Sequence, residues 1–358
     1  MQDIYEIDGL AEPLCRWYQK NKRSMPWREA ATPYHVWLSE IMLQQTRIEA
    51  AKAYYERFIE RLPDVKALAG VPEEELMKLW EGLGYYNRAR NLQKAAKLVV
   101  ERYDGVLPAD YDLLLELPGI GNYTAGAIAS IAYHIPAPAV DGNVLRVLMR
   151  YLNCRDDISK AAVRKKTERS IMKIIPEDKP GDFNEALMEL GEVVCIPNGA
   201  PLCGQCPVAE TCQGRIAGTQ TELPVKPEKK ARRVEKKTIL IFLTGERVGI
   251  ARRPETGLLA GLWEFPSLSG HLTMKQTEEY LKQKGVQPAG IRRLKSGRHI
   301  FSHVEWHMKG YLVEIMPEQD QDTMREVVPD IVWTEKENLS KQYTVPVAFH
   351  SFLKQIFA

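Results

Sequence analysis

The sequence predicts two parts: an all-α N-terminal part ending in a cysteine-rich loop, and a smaller α+β part at the C-terminal end. Three observations carry this expectation. Apolar residues recur at helical spacing up to about residue 213, with no convincing strand among them. Four of the six cysteines, Cys195, Cys203, Cys206 and Cys212, then fall within 18 residues. Beyond residue 237 the texture changes to short runs rich in β-branched and aromatic residues.

Taken in order, Ile48, Ala51, Tyr55, Phe58 and Leu62 share one helical face between Arg47 and Leu62. Pro72 opens the next helix, and Glu73, Glu74 and Glu75 suit the positive end of its dipole. Ala89, Leu92, Ala96, Val99 and Tyr103 mark a helix over 86–103. The same pattern predicts helices over 110–117, 123–133, 143–152, 160–175 and 182–194. Residues 214–237 lack this periodicity and carry Pro224, Pro227 and a basic run, which reads as a linker: a solvated tether whose basic face could touch phosphates. After it, TILIFLTGERVGIARR reads as two strands joined at Gly245 and Glu246. WEFPSL, HIFSHVEWHMKGYLVEI and DIVWT add strand-like runs, and 275–285 can form one helix.

Composition narrows the class. At 358 residues, 44% hydrophobic and 27% charged, the chain fits a soluble globular protein of two domains or one large one. No apolar run is long enough to span a bilayer, so no membrane partner is expected. Three acids and no Lys or Arg in the first ten residues argue against a targeting peptide, and a cytoplasmic location is the default. Net charge is +2, while residues 226–237 alone hold seven Lys/Arg against two Glu. The remainder is slightly acidic, so any nucleic-acid contact there must use local patches, backbone amides and helix ends.

The cysteine spacing is C-x7-C-x2-C-x5-C. In a cytosolic protein such a cluster points to metal rather than to disulfides. Four thiolates can wrap one tetrahedral ion or one cubic iron–sulfur cluster. Zinc usually takes two CxxC knuckles and only one is present, so the spacing favours a [4Fe–4S] cube in a structural role. Further upstream, Leu117-Pro118-Gly119-Ile120-Gly121 separates two helices. Gly119 and Gly121 leave backbone N–H groups open to a phosphate, although an ordinary αα-corner would read the same way. Asp141 precedes the helix carrying Val144, Val147, Leu148 and Tyr151, where it could be no more than an N-cap. Glu40 sits inside the apolar run of Leu38, Ile41 and Met42. A carboxyl in such surroundings is costly to ionise and suits a general acid, whereas a surface helix Glu is the plain alternative.

Together, MPWR (25–28), SEIMLQQT (39–46), WEGLGYYNRARNL (80–92), LPGIG, AVDGNVLRV (139–147), FNEALMELG (183–191) and the four-cysteine loop resemble the helix–hairpin–helix DNA glycosylases related to endonuclease III. The closer resemblance is to the MutY-type adenine glycosylases, and it extends through LLAGLWEFP (258–266) and FSHVEWH (301–307). One departure is that the loop between Cys195 and Cys203 is one residue longer than the family's usual spacing.

The resemblance implies a helical module over 29–134, a cluster module made of 1–28 and 135–213, the linker 214–237 and a Nudix-like domain over 238–358. That last domain lacks the Glu-rich metal-binding helix of Nudix hydrolases, since TEEYLKQKGV (277–286) does not supply it, which disfavours a nucleotide pyrophosphohydrolase. The resemblance also implies removal of adenine mispaired with 8-oxoguanine or guanine in double-stranded DNA, by a monomer that flips the base out. Glu40 would protonate adenine, Asp141 would stabilise the sugar cation, and Tyr123 and Asn143 would orient the two carboxyls. Arg28 and Glu185 match residues contacting adenine; Tyr85 and Gln45 match those that fill the opened stack. Thr46 and Ser302, flanked by Phe301 and His303, match readers of the oxidised base. Tyr123 stands where bifunctional relatives carry a lysine, so the bifunctional glycosylase/lyase reading is disfavoured. A non-catalytic iron–sulfur damage binder is the other alternative, disfavoured by the presence of both carboxyls.

Overall fold

In the computed structural model, which describes residues 4–227, 231–316 and 321–357, helical periodicity becomes thirteen α-helices before the first strand. They are α1 Ala11–Asn21, α2 Pro26–Glu29, α3 Pro33–Leu43, α4 Ile48–Arg61, α5 Val65–Gly70, α6 Glu73–Leu79, α7 Asn87–Tyr103, α8 Tyr111–Leu115, α9 Asn122–Ala127, α10 Gly142–Tyr151, α11 Ala161–Ile174, α12 Pro180–Val193 and α13 Gln213–Ile216. Thr32, Asp64, Asp110 and Asp141 cap α3, α5, α8 and α10 by accepting a backbone N–H two or three positions into the helix. The helix expected over 123–133 is α9 followed by a π-helical turn, Ile128–Ala132. Such a turn inserts a bulge, and bulges of this kind often sit at functional sites. Helix α1 was not foreseen; it buries Leu14, Cys15 and Tyr18 in one core with Phe183 and Leu187 of α12.

The C-terminal part forms one sheet. Its strands are β1 Arg233–Thr244, β2 Arg247–Arg252, β3 Trp263–Glu264, β4 Ser267–Ser269, β5 Gly290–Ile300, β6 Val304–Glu314 and β7 Val332–Glu335. The order is β3-β2-β1-β6-β5, with β4 on β1 and β7 on β2. Among the described residues only β1 and β6 pair in parallel; the other pairs are antiparallel. Among the described residues the helices here are α14 Met274–Gln283, α15 Gln321–Val327, α16 Lys336–Gln342 and α17 His350–Ile356, so the single helix expected at 275–285 is one of four. One sheet face packs under Leu339, Phe349 and Phe352, the other under Leu281 and Met324. This is the α+β arrangement expected for the C-terminal part.

Packing divides the chain into residues 1–71 with 87–228, and residues 72–86 with 229–358. Residues 72–86, expected inside the 29–134 module, thus group with the sheet. Lys78 Nζ donates to Tyr343 O at 3.2 Å and the Tyr85 and Ser302 hydroxyls are bonded at 2.7 Å, ties that sequence spacing gives no sign of. The tether expected over 214–237 is also corrected. Leu223 is buried, Arg150 Nε donates to its carbonyl at 2.9 Å, and Arg233 already belongs to β1. An apolar side chain with a core to enter does not stay in a solvated linker. Residues 228–230 of the basic run lie outside the described residues.

Candidate active site

Helix α3 is apolar on all sides: Val36, Trp37, Leu38, Ile41 and Met42 are buried, and Glu40 is buried among them at 8% exposure. The helix stops at Gln44, and Gln45 takes a left-handed φ of 59°. Arg88 of α7 closes that end, donating to the carbonyls of Ile41 (2.7 Å), Met42 (3.1 Å) and Gln44 (2.6 Å). These are the orphan carbonyls that every helix end leaves. Arg88 was missed because nothing in its own segment signals a partner more than forty positions away.

The Tyr123 hydroxyl, from α9, donates to Glu40 Oε2 and lies 3.2 Å from Met188 Sδ. Burial pushes the Glu40 carboxyl up to about 7; the Tyr123 hydrogen bond opposes the rise, and the charges of Asp141 and Glu185 add to it. Burial raises the Tyr123 phenol well above its ordinary value, so it stays a donor. Asp141 is the N-cap of α10: Oδ1 accepts from Val144 N and Oδ2 from Asn143 Nδ2, both at 2.8 Å. Burial raises Asp141 as well, while these N–H bonds and the charge of Arg146 pull it back. The plain readings of both carboxyls therefore resolve differently. Asp141 is an N-cap whose second oxygen is also held, and Glu40 is no surface residue.

Arg28 of α2 donates from Nε to Glu185 Oε1 at 2.7 Å. Arg28, Glu40, Gln45, Thr46, Tyr123, Asp141, Asn143 and Glu185 all line one cavity of about 1050 Å³. The Thr46 hydroxyl is buried there with no hydrogen-bond partner among the described residues. Gly119 and Gly121 lie apart on the hairpin. Gly119 has φ +81°, and a Cβ there would meet Asn91 Cβ at 2.8 Å; a Cβ at Gly121 would meet nothing within 4 Å. Gly119 therefore builds the turn and Gly121 leaves its outer face open.

The described helical region matches the family "HhH-GPD superfamily base excision DNA repair protein" over residues 38–175, and the sheet region matches a NUDIX domain over residues 238–355. The chain is 33% identical to the adenine DNA glycosylase of Homo sapiens, over 94% of this chain and 72% of that one. It is also 33% identical to that of Buchnera aphidicola subsp. Acyrthosiphon pisum, over 86% and 87% respectively. The chain belongs to the adenine DNA glycosylase family. Among solved structures, a thermostable thymine-DNA glycosylase is similar with a TM-score of 0.53 and 27% identity, covering 58% of this chain and 95% of that one.

In this glycosylase, of the residues expected to read the oxidised base, Thr46 lines the cavity and the other three belong to the sheet unit. Phe301, Ser302 and His303 form the tip between β5 and β6, closed by Phe301 N donating to Val304 O at 2.8 Å. The Phe301 ring rests 4.9 Å from Trp306 and 4.5 Å from His299, while Ser302 and His303 are exposed. Tyr85, itself at a left-handed φ of 49°, is bonded to Ser302 as above.

The cysteine loop follows α12. All four thiols are free of disulfides, and Cys195 and Cys206 pack against the helical core. Burial raises the Cys206 thiol, pushed up to about 12, and the charges of Cys195, Cys212 and Cys203 add to it, so the four lie within electrostatic reach of each other. Among the described residues no three Cys, His, Asp or Glu side chains close to single-ion distance. Four thiols in one short loop, with a single CxxC among them, are a donor set that fits a [4Fe–4S] cluster. Arg146 and Arg150, one turn apart on α10, hold this loop. Arg146 Nε donates to Cys195 O at 2.9 Å, and Arg150 Nη1 reaches Cys195 Sγ at 3.3 Å and Ile196 O at 2.8 Å. Arg146 Nη2 also donates to Asn143 Oδ1 at 2.9 Å, so hydrogen bonds run unbroken from the loop to Asp141. Two arginines on an otherwise apolar helix were the available signal for this tie.

Proposed function

We propose that the chain excises adenine mispaired with 8-oxoguanine or guanine in double-stranded DNA, as a monofunctional glycosylase. The observation that carries the reading is the carboxyl pair. Glu40 is buried, raised to about 7 and held by a phenol that stays protonated, while Asp141 has an N–H donor on each oxygen. One group is suited to hold a proton at neutral pH and the other to stay charged, the division of labour that glycosidic cleavage needs.

Adenine would be flipped out of the stack to reach this cavity, with Tyr85 and Gln45 filling the gap. Glu40 protonates adenine N7, which makes the base a better leaving group. As the C1′–N9 bond breaks, the electron pair leaves with the base. Asp141 stabilises the oxocarbenium-like sugar, water adds at C1′, and the proton water loses passes to a carboxylate. Arg28 and Glu185 grip the base edge, and Asn143 and Tyr123 keep the carboxyls in place. Gly119 and Gly121 offer backbone N–H groups to a DNA phosphate. Cys195, Cys203, Cys206 and Cys212 would hold a [4Fe–4S] cluster, which supplies a covalent tie for the loop after α12 and takes no part in the steps above. Thr46, Phe301, Ser302 and His303 read the oxidised base.

The test is single-turnover adenine release. Asp141→Asn is expected to abolish it, by about a thousandfold or more; release at the parent rate would overturn the assignment. Tyr123 offers no amine for a Schiff base, so borohydride is expected to trap no DNA adduct. A stable adduct would sink the monofunctional reading.

A further inference from the structure

Helix α12 carries Glu185, Glu189 and Glu192 at spacings of four and three, one face of a helix. Glu185 has a place in the reading above; Glu189 has none, although it is the most buried of the three, at 2% exposure. Both of its oxygens are occupied: Oε1 accepts from Arg23 Nε, and Oε2 from Arg28 Nη2 at 3.0 Å. Arg23 in turn donates from Nη2 to Glu192 Oε2 at 2.7 Å, and its backbone carbonyl accepts from Arg28 Nη1 at 3.0 Å. Arg28 is thereby fixed at three nitrogens, by Glu185, Glu189 and the Arg23 carbonyl. A guanidinium has five N–H groups, so two remain for a ligand.

Because neither Glu189 oxygen is left for substrate, its effect must pass through the arginines. We propose that Glu189 is a positioning residue of the adenine pocket: it fixes Arg28 with Arg23 as the outer clamp, and so keeps Glu185 and the remaining Arg28 N–H groups available to the base.

This inference rests on reading the cavity as an adenine site. Charge supports it beside geometry. Burial opposes ionisation of Glu189, yet the hydrogen bonds from Arg23 and Arg28 outweigh it and hold the carboxyl below its ordinary value. Glu185, by contrast, is raised by burial, with Arg28 only partly offsetting it. Glu189 is thus the fixed anion that balances the clamp, and Glu185 is the less firmly ionised of the two. Without the fixed anion, Arg28 would turn both arms to Glu185, the planar two-bond pairing that guanidinium prefers. The pocket would also gain one positive charge beside Glu40, favouring its ionised form and weakening it as an acid.

The test is single-turnover adenine release by the full chain with its cluster, measured across pH, with thermal melting alongside. Glu189→Gln is expected to slow release about tenfold or more. It should also move the fall in rate at alkaline pH down by about half a unit to one unit. Glu189→Asp, which keeps the charge, should return that fall to the parent position while the rate recovers only in part. An unmoved pH profile with rate lost only in step with the melting temperature would make Glu189 structural and overturn the proposal. If Glu189→Gln does not fold, Arg23→Gln removes the outer clamp from a side chain that is one-third exposed. A slower release without a downward shift of the profile then supports the proposal, and the parent rate overturns it. A parent chain that releases no adenine would sink the reading of the cavity itself. A parent that releases adenine beside an unmoved Glu189→Gln would sink only this inference.

Discussion

Glu40 is kept where ionising it is costly, and that cost has a sign and a window. Its ordinary value of 4.5 is raised to about 7 in the fold. Below 4.5 the group is protonated folded or unfolded and contributes nothing to the pH dependence. Between the two values the folded state binds more proton, so stability falls as pH rises, and above about 7 the whole cost is present. A shift of this size corresponds to about 3 kcal/mol, an upper figure for one side chain. Glu40→Gln keeps an acceptor for Tyr123 and removes the charge. It should therefore melt higher than the parent by about 1–3 kcal/mol of stability at alkaline pH, and with no difference at acid pH, while losing adenine release. A variant no more stable than the parent at alkaline pH would mean that Glu40 ionises without strain. In the parent, the rate of release should fall as pH rises through about 7, because the ionised acid has no proton to give.

At the scale of elements, the segment leading to Asp141 is held by a clasp between α12 and the π-helical turn that follows α9. Asn184, fully buried, donates to Ser130 Oγ (2.9 Å) and Ala137 O (2.8 Å), and accepts from Ala139 N (3.1 Å). On the other side a Cβ at Gly126 would sit 2.0 Å from Pro138 O, so only glycine lets α9 approach. Asn184→Ala would leave two buried backbone groups unpaired, a loss of about 2–4 kcal/mol. It should slow adenine release more than it weakens DNA binding, since it loosens the approach to Asp141 and leaves the hairpin glycines alone. Equal losses in rate and binding would show that the clasp supports the whole unit instead. This clasp also marks where sequence reading stops. Periodicity exposed α4, α7, α10 and α11 because a buried stripe repeats along one segment, and the hairpin glycines stood out because a turn needs them locally. Asn184, Arg88 and Glu189 act on partners forty or more positions away and leave no repeating trace. Glu40 and Asp141 were legible as unusual placements, but whether they face one cavity depends on packing between α3, α9 and α10.

For the whole molecule, the proposed excision and the proposed reading of the oxidised base by the hairpin draw on different units, since the carboxyls line the helical cavity, with Thr46 the one proposed reader beside them, and Ser302 caps the β5–β6 hairpin. They should therefore be separable by mutation. Oxidised guanine differs from guanine at its edge by gaining an N–H donor at N7 and a carbonyl at C8. The Ser302 hydroxyl can accept from that N–H, and the Tyr85 hydroxyl at 2.7 Å holds it in place. A single neutral hydrogen bond at an exposed site is worth about 0.5–1.5 kcal/mol. Ser302→Ala should accordingly lower the preference for oxidised over normal guanine by about two- to tenfold, and no further. Adding Phe301→Ala also removes the ring packed on Trp306 and His299, which sets the shape of the tip. The double variant should lose at least as much of the preference as Ser302→Ala alone, and the two changes should not simply add, because neighbours that share one loop do not act independently. Its pH profile should stay that of the parent, because Glu40 is untouched. The measurement is the ratio of single-turnover rates opposite the two bases, taken across pH. An unchanged ratio in the double variant would move the reading of the oxidised base away from this hairpin, and a shifted pH profile would mean that the two units do not divide the work.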